Sequence, residues 1–339
     1  MMTTKTPVAV LGTGSAGMKH IKAMQSLQYP FYAIPARQDQ EQRRANLYGM
    51  GVSIADSLTS AYDLGCTHAI IATDSGRHCI DIEEAITIGF SSILVEKPMA
   101  INLEEAQHIL NIERKYNATV FVASPLRFCK SLTQKFTYAL DTVGTLVACH
   151  INTFSYLPEW RPERDYHDTY SAKKDQGGVL LDLVHDIDMA CTIGSWPMRL
   201  QAIVQNQGIL GINSPETAHL MWQNQDHCTT VVALSYLHPL IISGYAHRRY
   251  GPHPGTREYT IYGATKTERL VLHFSPDDLE QAFLNQDKAF LDPDAEGRAI
   301  LPTSMDGADT IAIVEAAMRA NEMRQEIWVP YLQRTKPES

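Results

Sequence analysis

The alternation in the first third of the chain constrains the fold more than any other feature. Near-continuous apolar runs, VAVLG at 8–12, HAIIATD at 68–74, SSILVEKP at 91–98 and TVFVA at 119–123, are separated by amphipathic stretches at His20–Leu27, Gln40–Tyr48, His78–Ile88 and Leu103–Tyr116. A strand that is apolar at successive positions is covered on both faces, and helical segments between such strands supply the cover. Residues 1–124 therefore predict a doubly wound parallel sheet, an α/β domain of the Rossmann kind.

The texture changes after Ser124-Pro125. A helix over Lys130–Leu140 leads through Gly144 into the strand TLVACHINTF at 145–154, a polar aromatic loop follows, and a helix is expected over Gly178–Ile193. Strand-like runs then come in succession near 199–207, 217–223, 228–236, 257–263 and 268–274, without helices between them. That order predicts an α+β domain over 125–333 with a large, mostly antiparallel open sheet. The segment 307–325 has apolar residues at helical spacing and is expected to pack back on the body, while Arg334–Ser339 reads as loose. One face of an open antiparallel sheet needs cover, which makes this domain the candidate for oligomerisation.

Composition narrows the function classes. A net charge of −9 argues against a duplex-binding role, because such a molecule repels a phosphate backbone. No apolar run has the roughly 18 to 20 residues that span a bilayer, and the N-terminus carries no signal-peptide pattern, so no membrane partner is expected. Cys66, Cys79, Cys129, Cys149, Cys191 and Cys228 are widely spaced, which suits reduced thiols and a cytoplasmic location.

The chemistry begins at Gly12-Thr13-Gly14-Ser15-Ala16-Gly17, directly after the first strand and opening a helix at about Met18–Leu27. The first glycine permits a tight turn, the second lets backbone approach a pyrophosphate, and the third lets helix and strand pack closely. The helix N-terminus offers amides and a positive dipole end to the phosphates. A carboxylate some 20 residues further on would bond the ribose 2′-hydroxyl of NAD. The region reads Tyr32-Ala33-Ile34-Pro35-Ala36-Arg37 instead, with no acid before Asp39. Arg37, with Arg43 or Arg44 as helpers, can grip a 2′-phosphate, so NADP(H) is favoured over NAD(H); the same arginines can equally solvate a helix start.

At Glu96-Lys97-Pro98, the end of the fourth strand, the chain resembles the Gfo/Idh/MocA oxidoreductases, the glucose-fructose oxidoreductase and inositol dehydrogenase group. The resemblance runs through the glycine loop, Ile70-Ile71-Ala72-Thr73 with His78, Glu96-Lys97-Pro98, Leu126-Arg127-Phe128, and Gly177-Gly178-Val179-Leu180-Leu181-Asp182-Leu183 to His185 and Asp188. Ser155–Pro162 with Asp165-Tyr166 further resembles a branch associated with bacterial surface-sugar biosynthesis.

What the resemblance implies is an enzyme transferring a hydride between a nicotinamide and a secondary hydroxyl or ketone of a sugar or sugar derivative. Lys97 would bond the reacting oxygen and shuttle its proton, which requires a lysine pKa lowered toward neutrality. Pro98 is a candidate for a cis bond that aims Lys97 inward. His185 becomes the second proton-handling or hydroxyl-orienting group, and Asp182 a substrate ligand or the partner that fixes its tautomer. The pair is commonly four residues apart in the family and is three apart here, which leaves open which of them touches the reacting hydroxyl. Thr73, His78, Glu96 and Lys97 join the glycine loop as expected cofactor contacts. Read as metal ligands, Asp182, His185 and Asp188 form an odd set with nothing to complete it, so no metal is expected. Arg127, Tyr156, Trp160, Arg161 and Tyr166 are expected to contact substrate, although the loop carrying the last four, together with Arg164, His167 and Tyr170, would also serve as a subunit contact. His247-Arg248-Arg249 and His253 read as a solvated loop. Homodimers or homotetramers are implied. Two other readings share the sequence: a tightly bound cofactor used for redox-neutral epimerisation, elimination or glycoside cleavage, and a non-catalytic cofactor-sensing regulator.

Overall fold

The computed structural model describes residues 5–36, 40–162, 164–224, 227–238, 256–272 and 274–333. Arg37 and the His247–His253 group lie outside the described residues. The chain divides into two compact units, one formed by residues 1–128 with 280–308 and the other by 129–279 with 309–339.

In the first unit, β1 (Val8–Leu11), β2 (Phe31–Ile34), β3 (His68–Ile71), β4 (Ser92–Val95) and β5 (Thr119–Val122) form a parallel sheet in the order β2-β1-β3-β4-β5. The order reverses beside β1, and ligands of such sheets bind at the carboxyl ends of the strands at that switch. The intervening helices are α1 (Ser15–Ser26), α2 (Gln40–Gly49), α3 (Leu58–Asp63), α4 (His78–Ile88) and α5 (Leu103–Tyr116). All four residues of β1 and of β4 are buried, which is why these strands are apolar throughout. Helix α5 begins where the Asn102 side chain accepts the Glu105 amide at 2.8 Å and ends at Asn117 in the left-handed region. Such an N-cap satisfies one of the amides a helix start leaves over.

The second unit opens with α6 (Lys130–Val143) and β6 (Leu146–Phe154), followed by short 3-10 turns and then α7 (Val179–Asp182) and α8 (Val184–Gly194). Leu183, at φ −97° and ψ 25°, interrupts what the sequence suggests is one helix over Gly178–Ile193. Strands β7 (Arg199–Gln205), β8 (Thr217–Gln223), β9 (Thr229–Ser235), β10 (Thr256–Gly263) and β11 (Thr267–Leu272) follow. With β12 (Ile327–Trp328) they make a seven-stranded sheet in the order β11-β10-β6-β9-β8-β7-β12. The sheet is mostly antiparallel, with β6 and β9 parallel. Helices α6 and α8 pack on one face.

Helix α9 (Pro276–Leu291), absent from the sequence reading, carries the chain back into the first unit. Its Ala289 and Phe290 join the core beside Val10, Ile70, Leu94 and Phe121, and Phe290 meets the His68 and Phe121 rings edge-on. Helix α10 (Ser304–Met323) follows, overlapping the expected 307–325 segment but starting three residues earlier. All six cysteines are buried, and none of them forms a disulfide. No helix among the described residues is long and apolar enough to cross a membrane.

Candidate active site

The glycine loop shows which of its glycines the protein itself demands. Gly12 has φ +95°, and a Cβ there would lie 2.4 Å from the Ala72 carbonyl oxygen; a Cβ on Gly17 would lie 2.0 Å from the Gly12 carbonyl oxygen. Both positions need glycine for close packing. Gly14 differs, because a Cβ there would meet nothing within 4 Å. The open space beside Gly14 fits the approach of a pyrophosphate to bare backbone, the role a dinucleotide gives the second glycine. Helix α1 starts at Ser15, earlier than the sequence suggests, so Ser15, Ala16 and Gly17 form its first turn, and no acidic side chain there competes for an anion. Thr13 is buried, and its hydroxyl has no hydrogen-bond partner among the described residues. Arg43 donates from Nη1 to the Thr13 carbonyl at 2.8 Å, whereas Arg44 pairs with Asp56.

The turn after β4 is braced on both sides. The Glu96 carboxylate, 7% exposed, faces Nε2 of His20 at 3.1 Å and accepts the Lys97 amide at 3.3 Å. On the other side, the ring of His78, itself buried, faces the Pro98 carbonyl at 2.7 Å and the Thr73 carbonyl at 3.1 Å. The Lys97–Pro98 peptide is cis, and Lys97 is half-buried. Thr73 donates its hydroxyl to the buried carboxylate of Asp81 at 2.6 Å, where Arg77 also binds. His78 thus ties the β3 and β4 ends together. Arg127 donates to the Ile300 carbonyl at 3.3 Å, a contact inside the first unit.

Sequence reasoning missed His20 and Asp287. His20 is wholly buried, with Nδ1 2.9 Å from both carboxylate oxygens of Asp287 and Nε2 on Glu96. Burial opposes a charge on the ring, but the Asp287 and Glu96 carboxylates outweigh it and raise the His20 pKa to about 10. Burial in turn raises Asp287 above the usual carboxylate value, against the pull of His20. A signal for His20 existed. It shares the core face of α1 with Gly17, Ile21 and Met24, and a polar side chain there requires a buried partner.

In the second unit Asp182 is only 2% exposed. Tyr236 donates its hydroxyl to Asp182 Oδ2 at 2.5 Å. Burial and that carboxylate push both Tyr236 and Tyr170 well above the ordinary phenol value. The Arg161 guanidinium lies 5.9 Å from the Tyr170 ring centroid. Trp160 donates its indole N–H to Ser155 and meets Tyr236 edge-on. Tyr156 bridges to Leu237, and Tyr166 donates to the Leu210 carbonyl at 3.1 Å while stacking on His167. Asp182 and Tyr236 thus join Tyr170, Trp160 and Arg161 in one cluster. The break at Leu183 separates Asp182 on α7 from His185 on α8, so the two do not share one continuous helix face; His185 is half-buried and Asp188 buried. Asp186, between them, is taken up by Arg257 at 2.7 and 3.2 Å. Among the described residues no group of three or more His, Cys, Asp or Glu could hold a metal ion.

Comparison with known proteins places this geometry. Residues 6–124 match the model of the GFO_IDH_MocA oxidoreductase family with an NAD-binding Rossmann fold. The chain is 24% identical to inositol 2-dehydrogenase of Rhizobium meliloti over 94% of its length and 97% of the relative's. Among solved structures, GenD2 from gentamicin A biosynthesis in complex with NAD superposes with a TM-score of 0.79 at 15% identity, covering 97% of each chain. WlbA dehydrogenase from Bordetella pertussis in complex with NADH and UDP-GlcNAcA does so with 0.73 at 18%, covering 96% of this chain and 99% of that one. The open glycine loop and the Lys97 turn thus lie in the segment, residues 6–124, that matches the NAD-binding Rossmann fold of the GFO_IDH_MocA oxidoreductase family, and the likenesses to solved structures extend the fold over nearly the whole chain.

Proposed function

We propose that the protein is an NAD(P)-dependent dehydrogenase or reductase acting on a secondary hydroxyl or ketone of a sugar or sugar derivative. The observation that carries the reading is the space at Gly14, at the mouth of a helix whose first turn has no acid, in the same unit as the braced Lys97 turn. The first-turn amides would hold the pyrophosphate. When bound, the nicotinamide supplies the hydride acceptor in one direction and the donor in the other. The proton falls to the chain's own side chains. Lys97 as an amine takes the proton from the substrate hydroxyl, and as an ammonium it returns the proton to the ketone oxygen. His185 is proposed as the second proton-handling or orienting group. Asp182, Arg127, Tyr156, Trp160, Arg161 and Tyr166 are proposed to shape the sugar site, Asp182 through the phenols it holds. Relatives whose names carry inositol and a UDP-linked acidic sugar support a polyol or sugar substrate.

NADP is proposed as the preferred cofactor, with Arg37 on the 2′-phosphate and Arg43, seated on the Thr13 carbonyl, beside the loop. Binding of NADPH and NADH, followed by reduced-nicotinamide fluorescence, tests this. NADPH should bind more tightly, and Arg37→Ala should weaken NADPH about tenfold while leaving NADH within about twofold. Equal binding of the two discards the role of Arg37. Lys97→Ala should fold as the wild type does yet lose turnover of a polyol panel by ~10²-fold or more. Full turnover without the amine would sink the catalytic assignment.

A further inference from the structure

The buried ionisable groups of the first unit form a chain that ends at Lys97. Asp287 on α9, His20 on α1 and Glu96 at the end of β4 are all buried, joined by contacts of 2.9 and 3.1 Å, and Glu96 takes the Lys97 amide at 3.3 Å. The chain has its own support. Gln286 donates to Asp287 at 3.3 Å and accepts the Ser124 amide at 2.7 Å, which fixes α9 against the segment after β5. Both nitrogens of the His20 ring face carboxylates, which accept and do not donate, so the ring holds both contacts as an imidazolium. The charged groups set against it are Asp287 and Glu96; Phe283 packs edge-on at 5.1 Å, and Lys19 lies over that Phe283 ring.

Stability alone gives little reason for such a trio. Desolvating three ionisable groups consumes most of what their attraction returns, and apolar residues of equal volume do as well or better. The return is definition of position. A carboxylate held by a charged donor of fixed geometry keeps one rotamer, and here that carboxylate lies on the backbone of the residue with the proposed catalytic amine. His78 fixes the same turn from its other end through the Pro98 carbonyl.

We propose that His20 is a positioning residue: bridging Asp287 and Glu96, it locks the Glu96 carboxylate onto the Lys97 amide and so sets the direction in which the Lys97 amine leaves the β4 turn. The proposal rests on Lys97 being the proton-handling group, and its test is chosen to fail separately from that reading. The full-length protein, labelled with ¹³C-lysine, is titrated by NMR, with the Lys97 Cε signal assigned through Lys97→Arg. His20→Gln and Glu96→Gln should each displace that signal and move its titration midpoint by about half a pH unit or more. The double variant should add nothing to the larger single effect, because His20 acts through Glu96. In His20→Gln, NADPH affinity, read by fluorescence, should stay within about threefold. A folded His20→Gln protein with the wild-type Lys97 signal and midpoint, and only a lower melting temperature, overturns the proposal. Should His20→Gln not fold, Asp287→Asn leaves the ring in place and is read the same way, a displaced Lys97 signal supporting the proposal and an unmoved one overturning it. Retained turnover in Lys97→Ala would instead remove the catalytic reading beneath it.

Discussion

His20 couples the first unit to pH. Its pKa is raised from 6.5 to about 10 by two buried carboxylates. The stability its charge contributes is therefore complete below pH 6.5 and drains away as the pH climbs toward about 10. Thermal unfolding followed between pH 7 and 10 should show this alkaline loss in the wild type and a flatter, lower curve in His20→Ala. Removing one partner of a buried ionic set costs ~3 to 5 kcal/mol, so the variant should melt well below the wild type at pH 7. A variant curve parallel to the wild type across that range would place the titration elsewhere. At this scale the sequence was most legible where one residue type answers one steric demand. Gly12 and Gly17 stand against backbone carbonyls, and the Lys97–Pro98 bond is cis as the motif suggested. It was least legible for Asp287, because a carboxylate 267 positions from its histidine leaves no local pattern. The expected exposure of Asp182 to substrate also missed its phenol partner, Tyr236, which lies 54 positions away.

The element least visible in the sequence is α9. Its core face mixes Ala282, Phe283, Ala289 and Phe290 with the polar Gln286 and Asp287, which blurs the apolar spacing that marks an amphipathic helix. Yet it carries one of the larger fully buried side chains of the fold, since Phe290 is 1% exposed. Phe290→Ala should cost ~3 to 5 kcal/mol in urea unfolding, through lost burial and the cavity left among His68, Phe121 and the sheet. A loss under about 1 kcal/mol would mean that α9 is not seated as described. The strands were easier to read. The apolar runs of β1, β3 and β4 need cover on both faces, and strand-like runs in succession marked β7 and β8. What such runs could not tell is the direction of each partner, and β6 runs parallel to β9 inside an otherwise antiparallel sheet.

At the scale of the molecule, helices α6 and α8 cover one face of the seven-stranded sheet. On the other, β7 and β8 present Ile203 and Met221 to solvent between Gln201, Gln205, His219 and Gln223, with Val231 of β9 paired beside Met221. We propose that this face pairs copies of the chain into homodimers or homotetramers. Light scattering should report the oligomer for the wild type and the monomer mass for Ile203→Glu with Met221→Glu; a monomeric wild type would end the idea. The passage from a parallel sheet to a mostly antiparallel one was legible from the change in texture after Ser124. The return of residues 280–308 to the first unit was not, because a sequence read in order has no sign for a segment that rejoins a sheet laid down long before. That return has a consequence for how the protein is made. A ribosome delivers the five parallel strands early, but the carboxylate that neutralises His20 and the phenyl ring that seals the sheet are added only near residue 290. At ~5 to 20 residues per second the nascent Rossmann sheet waits roughly ten to thirty seconds with a buried-to-be histidine and an apolar face uncovered. During synthesis, then, the nucleotide-binding half is finished almost last, and a fragment ending near residue 124 lacks the parts that complete it.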